Sequence, residues 1–167
     1  EFFSGIATGH FFYTPRKVGM SSVQAPDAAT VEALESWLRR FVALNTFEIS
    51  IPCLRNPDLA PPGKTGLVIS LLLDYRVAEK ARDLGWYEGF KTLTEDLIIH
   101  ALDESVYPGL ANAIIDRFSS TPVTMARLTG NTDGAITGWA FTNDSMPAEN
   151  RLTRIAAATK TVIPHVH

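Results

Sequence analysis

The sequence predicts an α+β fold, a largely antiparallel β-sheet with helices packed on one face, and three observations carry that expectation. Residues 47–51 alternate: Phe47, Ile49 and Ile51 point one way and Glu48 and Ser50 the other, as a half-buried strand requires. Two stretches carry apolar stripes at helical spacing, Val31, Leu34, Leu38, Phe41 and Val42 in the first and Trp86, Phe90, Leu93, Leu97, Ile98 and Ala101 in the second. The predicted elements also come in groups: strand, helix, two strands, two or three helices, two strands. A doubly wound sheet would alternate them strictly.

Taken in order, Phe11, Phe12 and Tyr13 read as a short strand broken by Pro15. Pro26-Asp27 reads as a helix start with Asp27 as N-cap, ahead of the first stripe. Pro52 has no N–H for a ladder, so pairing of the 47–51 strand stops there. The loop that follows holds Pro52, Pro57, Pro61 and Pro62 and ends in Pro62-Gly63, which suits a type II turn with Gly63 at positive φ. Residues 67–73 are apolar except Ser70, the pattern of a central strand covered on both faces. A short helix is expected over 77–84, interrupted by Gly85, with the stronger helix starting at Trp86. Pro108-Gly109 breaks or restarts it, and Leu110, Ile114, Ile115 and Phe118 suggest one more short helix. Thr121-Pro122 ends the helical section, 123–128 reads as a strand, and 130–134 is a turn with Asp-Gly chemistry leading into a strand over 135–141.

Length and charge narrow the function. With 167 residues the chain is expected to form a single domain, 1–167. A net charge of −3 without a basic cluster argues against a nucleic-acid partner. Cys53 is alone, so there is neither an internal disulfide nor a cysteine metal site, and a reducing cytoplasm fits. His10, His100, His165 and His167 show no metal-ligand spacing, so no metal is expected. Gly63-Lys64-Thr65 has the end of a phosphate-binding loop, but Asp58 stands where that loop needs its first glycine. Gly130, Gly134 and Gly138 recur every four residues, which is not the dinucleotide pattern. They read either as turn and strand glycines or as points where backbone approaches a flat ligand closely. Asn143-Asp144-Ser145 matches a glycosylation acceptor, with no secretion signal to support it. Glu1-Phe2 has the look of a cloning scar and 161–167 the approach to a strand, so the sequence reads as a piece of a longer protein.

Three segments together resemble a known family. Residues 51–64, Ile-Pro-Cys-Leu-Arg-Asn-Pro-Asp-Leu-Ala-Pro-Pro-Gly-Lys, are similar to "P-(s/t)-x-x-D-P-x-x-A-P-x-G-(k/h)" of the phytoene dehydrogenase and carotenoid isomerase family of FAD-dependent oxidoreductases. Asn56 stands where that family usually has Asp, and Thr65 where His is frequent nearby. The 93–103 helix followed by Pro108-Gly109-Leu110 resembles the family's helix with P-G-L after it. Thr121-Pro122-Val123-Thr124 and then Gly130, Gly134, Ala135 and Gly138 resemble its later "T-P-x-T … G-x-x-x-G-A-x-x-G", in the same order and at a similar distance. The resemblance spans roughly residues 47–140.

The resemblance implies the substrate or lid domain of a two-domain flavoenzyme, an antiparallel sheet over the flavin with helices on its back. The family's FAD-binding glycine segments would lie outside 1–167. FAD is therefore expected in the full-length parent and not on this piece, whose partners would be an apolar polyene or lipid-like substrate and the parent's FAD-binding domain. The parent is expected in the cytoplasm, with peripheral association at a membrane surface allowed, and the piece is expected to self-associate through its uncovered sheet. Cofactor chemistry needs no acid or base here, so no catalytic residue is assigned. The resemblance places Thr129, Gly130, Gly134, Ala135 and Gly138 nearest to substrate or flavin. Two other readings stay open: a non-catalytic α+β module that binds a lipid or protein, and an amine-oxidase-like flavoenzyme.

Overall fold

The computed structural model describes residues 9–16, 26 and 29–136. All of these but Ile136 belong to one compact unit, Glu1–Ala135; Ile136–His167 form a second. The fold is α+β, with a small antiparallel sheet and several helices. Strands β1 (His10–Tyr13), β2 (Phe47–Ser50) and β3 (Val68–Ser70) form a three-stranded sheet in the order β1-β2-β3. Both pairings are antiparallel, with Phe11 opposite Ile49 and Ile49 opposite Ile69. The helices are α1 (Val31–Leu44), α2 (Tyr75–Asp83), α3 (Tyr87–Asp103), the single turn α4 (Leu110–Ala113) and α5 (Pro122–Thr129).

The alternation of β2 is realised as expected. Phe47 and Ile49 are buried and Glu48 is exposed, and regular pairing ends at Ser50, just before Pro52. Residues 67–73 differ from the expectation. They supply a three-residue strand at one side of the described sheet, and the central position belongs to β2. Leu67, Ile69, Leu71 and Leu73 pack against the core, while Val68 and Leu72 are 51% and 76% exposed. An all-apolar run marks what a strand could bury, not whether a second layer covers its other face.

The first stripe forms α1 and buries Leu34, Leu38, Phe41, Val42 and Leu44. Its N-cap is Thr30, whose hydroxyl accepts the Ala33 N–H at 3.3 Å; the expected cap, Asp27, lies outside the described residues. Trp37 stacks on Phe41 with ring centroids 4.5 Å apart. The helix expected over 77–84 is α2, which starts earlier because the Asp74 carboxylate accepts the Arg76 N–H at 2.8 Å. It stops at Gly85, whose φ of +70° lets the Gly85 N–H reach the Arg82 carbonyl and the Trp86 N–H the Ala81 carbonyl. Helix α3 then buries Phe90, Ile98 and Leu102 in the same core as α1 and β2.

After α3 two expectations are corrected. The short helix drawn through Leu110, Ile114, Ile115 and Phe118 is only one turn, and Ile115 and Phe118 are 76% and 88% exposed. Polar ties hold the following segment extended along α3 instead. Arg117 meets Asp96 at 2.6 Å and Glu95 at 3.3 Å, and the Ser119 hydroxyl donates to Glu95 at 2.5 Å. Thr121-Pro122 does not end the helical section; it begins α5, so 123–128 is helix and not strand. Thr121 caps α5 in a box with Thr124, each hydroxyl accepting the other residue's N–H, and Pro122 needs no intrahelical partner at the first position. Of the strand expected over 135–141, residues 137–141 lie outside the described residues, while Ala135 and Ile136 are not strand.

Candidate functional site

Three features of the described residues could serve a ligand. The first is the proline-rich loop. Residues Pro52–Leu54 and Pro57–Leu59 each form a 3₁₀ turn, and the Asn56 side chain accepts the Asp58 N–H at 3.1 Å between them. The Lys64 N–H then donates to the Pro61 carbonyl at 2.9 Å, with Gly63 at φ +75°: the expected type II turn. This loop encloses an open-sided hollow of about 660 Å³, lined among others by Cys53, Leu54, Pro57 and Ala60. Cys53 braces it, its Sγ accepting the Gly66 N–H at 3.4 Å.

The second feature is the outward face of the sheet. Alternation places His10, Phe12, Glu48, Ser50, Val68 and Ser70 there. His10 Nε2 lies 2.8 Å from Glu48 Oε1, and the His10 ring meets the Phe12 ring edge-on at 5.6 Å. Phe12 is 67% exposed. The face runs on to the loop, because the Ile51 N–H donates to the Gly9 carbonyl at 2.7 Å and Gly9 sits beside Leu54.

The third feature contains the residues singled out in the sequence. Thr129, Gly130, Gly134 and Ala135 come together at the end of α5 and in the 3₁₀ turn after it, Thr132–Gly134; Gly138 lies outside the described residues. The Thr129 hydroxyl donates to the Met125 carbonyl at 2.9 Å and accepts the Asn131 N–H at 3.2 Å. Gly130 ends α5 in the left-handed conformation, its N–H on the Ala126 carbonyl. Gly134 is buried against α5 itself: a Cβ there would lie 2.0 Å from the Pro122 carbonyl oxygen. The Ala135 carbonyl accepts from the Asn131 side chain at 2.8 Å. This turn packs on α5 and touches α2.

Sequence reasoning missed two groupings. One is the His10–Glu48 pair, visible only once β1 and β2 are in register. The other is a hydroxyl cluster, in which Tyr87 OH lies 2.6 Å from Thr121 Oγ1 and 2.9 Å from Thr124 Oγ1. The Thr-Pro-x-Thr spacing was its signal, had it been read as a helix start.

Chemically these features mix apolar and polar groups: Phe12 and Val68 stand beside His10, Glu48, Ser50 and Ser70 on the sheet face, and Asp58, Lys64 and Thr65 join the apolar lining of the hollow. Among the described residues the buried side chains with polar atoms include Asn45, Thr121 and Tyr107, and none of the three is a carboxylate, histidine, lysine or cysteine. No group of three or more His, Cys, Asp or Glu among the described residues could hold a metal ion. No described helix is long and apolar enough to cross a membrane. Comparison with protein-family models, with curated proteins and with solved structures returns no match for this chain.

Proposed function

We propose that this chain is the substrate-domain portion of an FAD-dependent oxidoreductase acting on an apolar polyene or lipid-like substrate. The observation that carries the reading is the set of three resembling segments, 51–64, 108–110 and 121–138, in family order within one chain. The sheet is of a kind that suits it. Phe47 and Ile49 on one side join a core with α1 and α3, while Phe12 and Val68 on the other side stay exposed. In this reading the helices form the back and the outward face, running on into the proline-rich hollow, meets the apolar substrate. On the resemblance alone Thr129, Gly130, Gly134, Ala135 and Gly138 are assigned nearest to substrate or flavin; the described four sit at α5 and its turn against α2, not among the outward-face residues, and the cofactor would supply the redox chemistry.

The starts of α1, α2 and α5 do not fit the pyrophosphate of FAD. That group needs converging backbone N–H donors at a helix start behind a glycine-rich turn. At α1 the Thr30 hydroxyl takes the Ala33 N–H. At α2 the Asp74 carboxylate takes the Arg76 N–H and would repel a phosphate. At α5 the Thr121 hydroxyl takes the Thr124 N–H, and Pro122 has no N–H to offer. In this reading FAD is held by a different part of the flavoenzyme, and this portion shapes the apolar site.

Titration with FAD tests the reading at two levels. The 167-residue chain is expected to bind flavin weakly or not at all, and the full product of its gene to carry it tightly and show flavin absorbance. Micromolar or tighter binding by the chain alone would overturn the domain assignment. A full-length product free of flavin would overturn the oxidoreductase reading and favour a non-catalytic lipid- or protein-binding module.

A further inference from the structure

We propose that Tyr87 is a latch whose hydroxyl holds residues 121–135 onto the rest of the fold, so that this segment opens as a unit while the core stays closed. The observation behind it is where the apolar core ends. Helix α5 has no buried residue, and no residue of 122–135 belongs to the core cluster or packs against it as a partly buried apolar side chain. Arg127, Leu128 and Thr129 are exposed. Among the described residues α5 and the turn after it pack on α2, and the side-chain hydrogen-bonded tie from α5 to α3 is the Tyr87 hydroxyl, 2.6 Å from Thr121 Oγ1 and 2.9 Å from Thr124 Oγ1.

The chemistry of that tie is specific. A phenol hydroxyl has one proton, so Tyr87 donates to one threonine hydroxyl and accepts from the other. Both threonine oxygens already accept a backbone N–H within the capping box. Tyr87 thus closes a ring of hydroxyls on the first turn of α5, and Thr121 is only 6% exposed. The Tyr87 ring is itself positioned by α3, with the Lys91 ammonium 5.8 Å from its centroid.

The segment is also tied within itself. Gly134 packs on Pro122, the Thr129 hydroxyl bridges Met125 and Asn131, and the Asn131 side chain reaches Ala135. A piece cross-tied internally but joined to its body by few apolar contacts opens cooperatively, at a free energy below that of global unfolding. The inference does not depend on the flavoenzyme reading. Under that reading it has a consequence, since the opening segment carries Thr129, Gly130, Gly134 and Ala135.

Native-state hydrogen exchange on the 167-residue chain, with Tyr87→Phe and Thr124→Val singly and together, tests it. Tyr87→Phe is expected to speed exchange of the 123–135 amides roughly three- to tenfold, the weight of a hydroxyl hydrogen bond or two. Amides of α1, β2 and α3 should keep their rates. The double variant should gain less than the product of the two single effects, because both remove the same contact. Unchanged rates in 123–135, or an equal rise throughout the chain, would overturn the latch. So would loss of folding in Tyr87→Phe, because a tie outside the core cannot hold the core together.

Discussion

The body of the fold and its α5 region are stabilised by different physics. In the body, Leu34, Leu38, Phe47, Ile49 and Leu102 are each 0% exposed and come from a helix, a strand and a second helix that meet in one core. Full burial of each such side chain contributes about 1.5–3 kcal/mol. Residues 121–135 have nothing comparable, and hold their shape through a capping box, a left-handed helix end, a glycine in contact with backbone and a ring of hydroxyls. Apolar burial tolerates imprecision because it depends on area; caps and close backbone contacts depend on single atoms. Four of the residues proposed to lie nearest a ligand, Thr129, Gly130, Gly134 and Ala135, sit in the second kind of structure.

The largest effect should come from the body. Leu38→Ala is expected to lower stability by about 2–5 kcal/mol in urea denaturation, the cost of a cavity in a packed core. A loss under about half a kilocalorie, the range of surface substitutions, would mean that α1 does not carry the core and would dissolve the contrast.

Two glycines sharpen it further. Both have positive φ, Gly134 at +65° and Gly63 at +75°, but only Gly134 has backbone in the way, and nothing lies within 4 Å of the Cβ position at Gly63. Gly134→Ala must therefore push the turn off Pro122 and is expected to cost about 1–3 kcal/mol, with faster exchange concentrated in 121–135. Gly63→Ala meets left-handed strain alone, about 1 kcal/mol. Equal costs at the two sites would show that the contact of Gly134 with Pro122 is not tight.

The smallest effect is electrostatic and again belongs to the body. Burial pushes the Tyr107 phenol above its ordinary 10.0, and its ring packs edge-on to Phe11 at 6.5 Å. The folded state then holds the proton where the unfolded chain has lost it. The resulting stability is fully present below pH 10 and is lost as pH rises through the raised folded value. Tyr107→Phe should flatten the stability profile above about pH 10 relative to the parent chain; an unchanged slope there would mean that the phenol titrates alike in both states.

By itself the sequence determined the elements whose information is periodic or steric. The stripe of α1, the alternation of β2 and the stop at Pro52 follow from where side chains point and which N–H is missing. The Pro62-Gly63 turn and the interruption at Gly85 follow from backbone conformations that glycine alone adopts readily. Tertiary structure decided what those rules leave degenerate. Residues 67–73 could have been covered on both faces or on one, and burial depends on what packs against them. Ile114 and Ile115 could have extended α4, but Glu95 and Asp96 of α3 hold Arg117 and draw the chain out. Residues 123–128 mix β-branched and helix-forming types over fewer than three helical turns, too short a run for propensity to choose. The Thr121–Thr124 box made the helix available, and the Tyr87 hydroxyl, distant in sequence and 2.6 Å away in space, gave it a place on the fold.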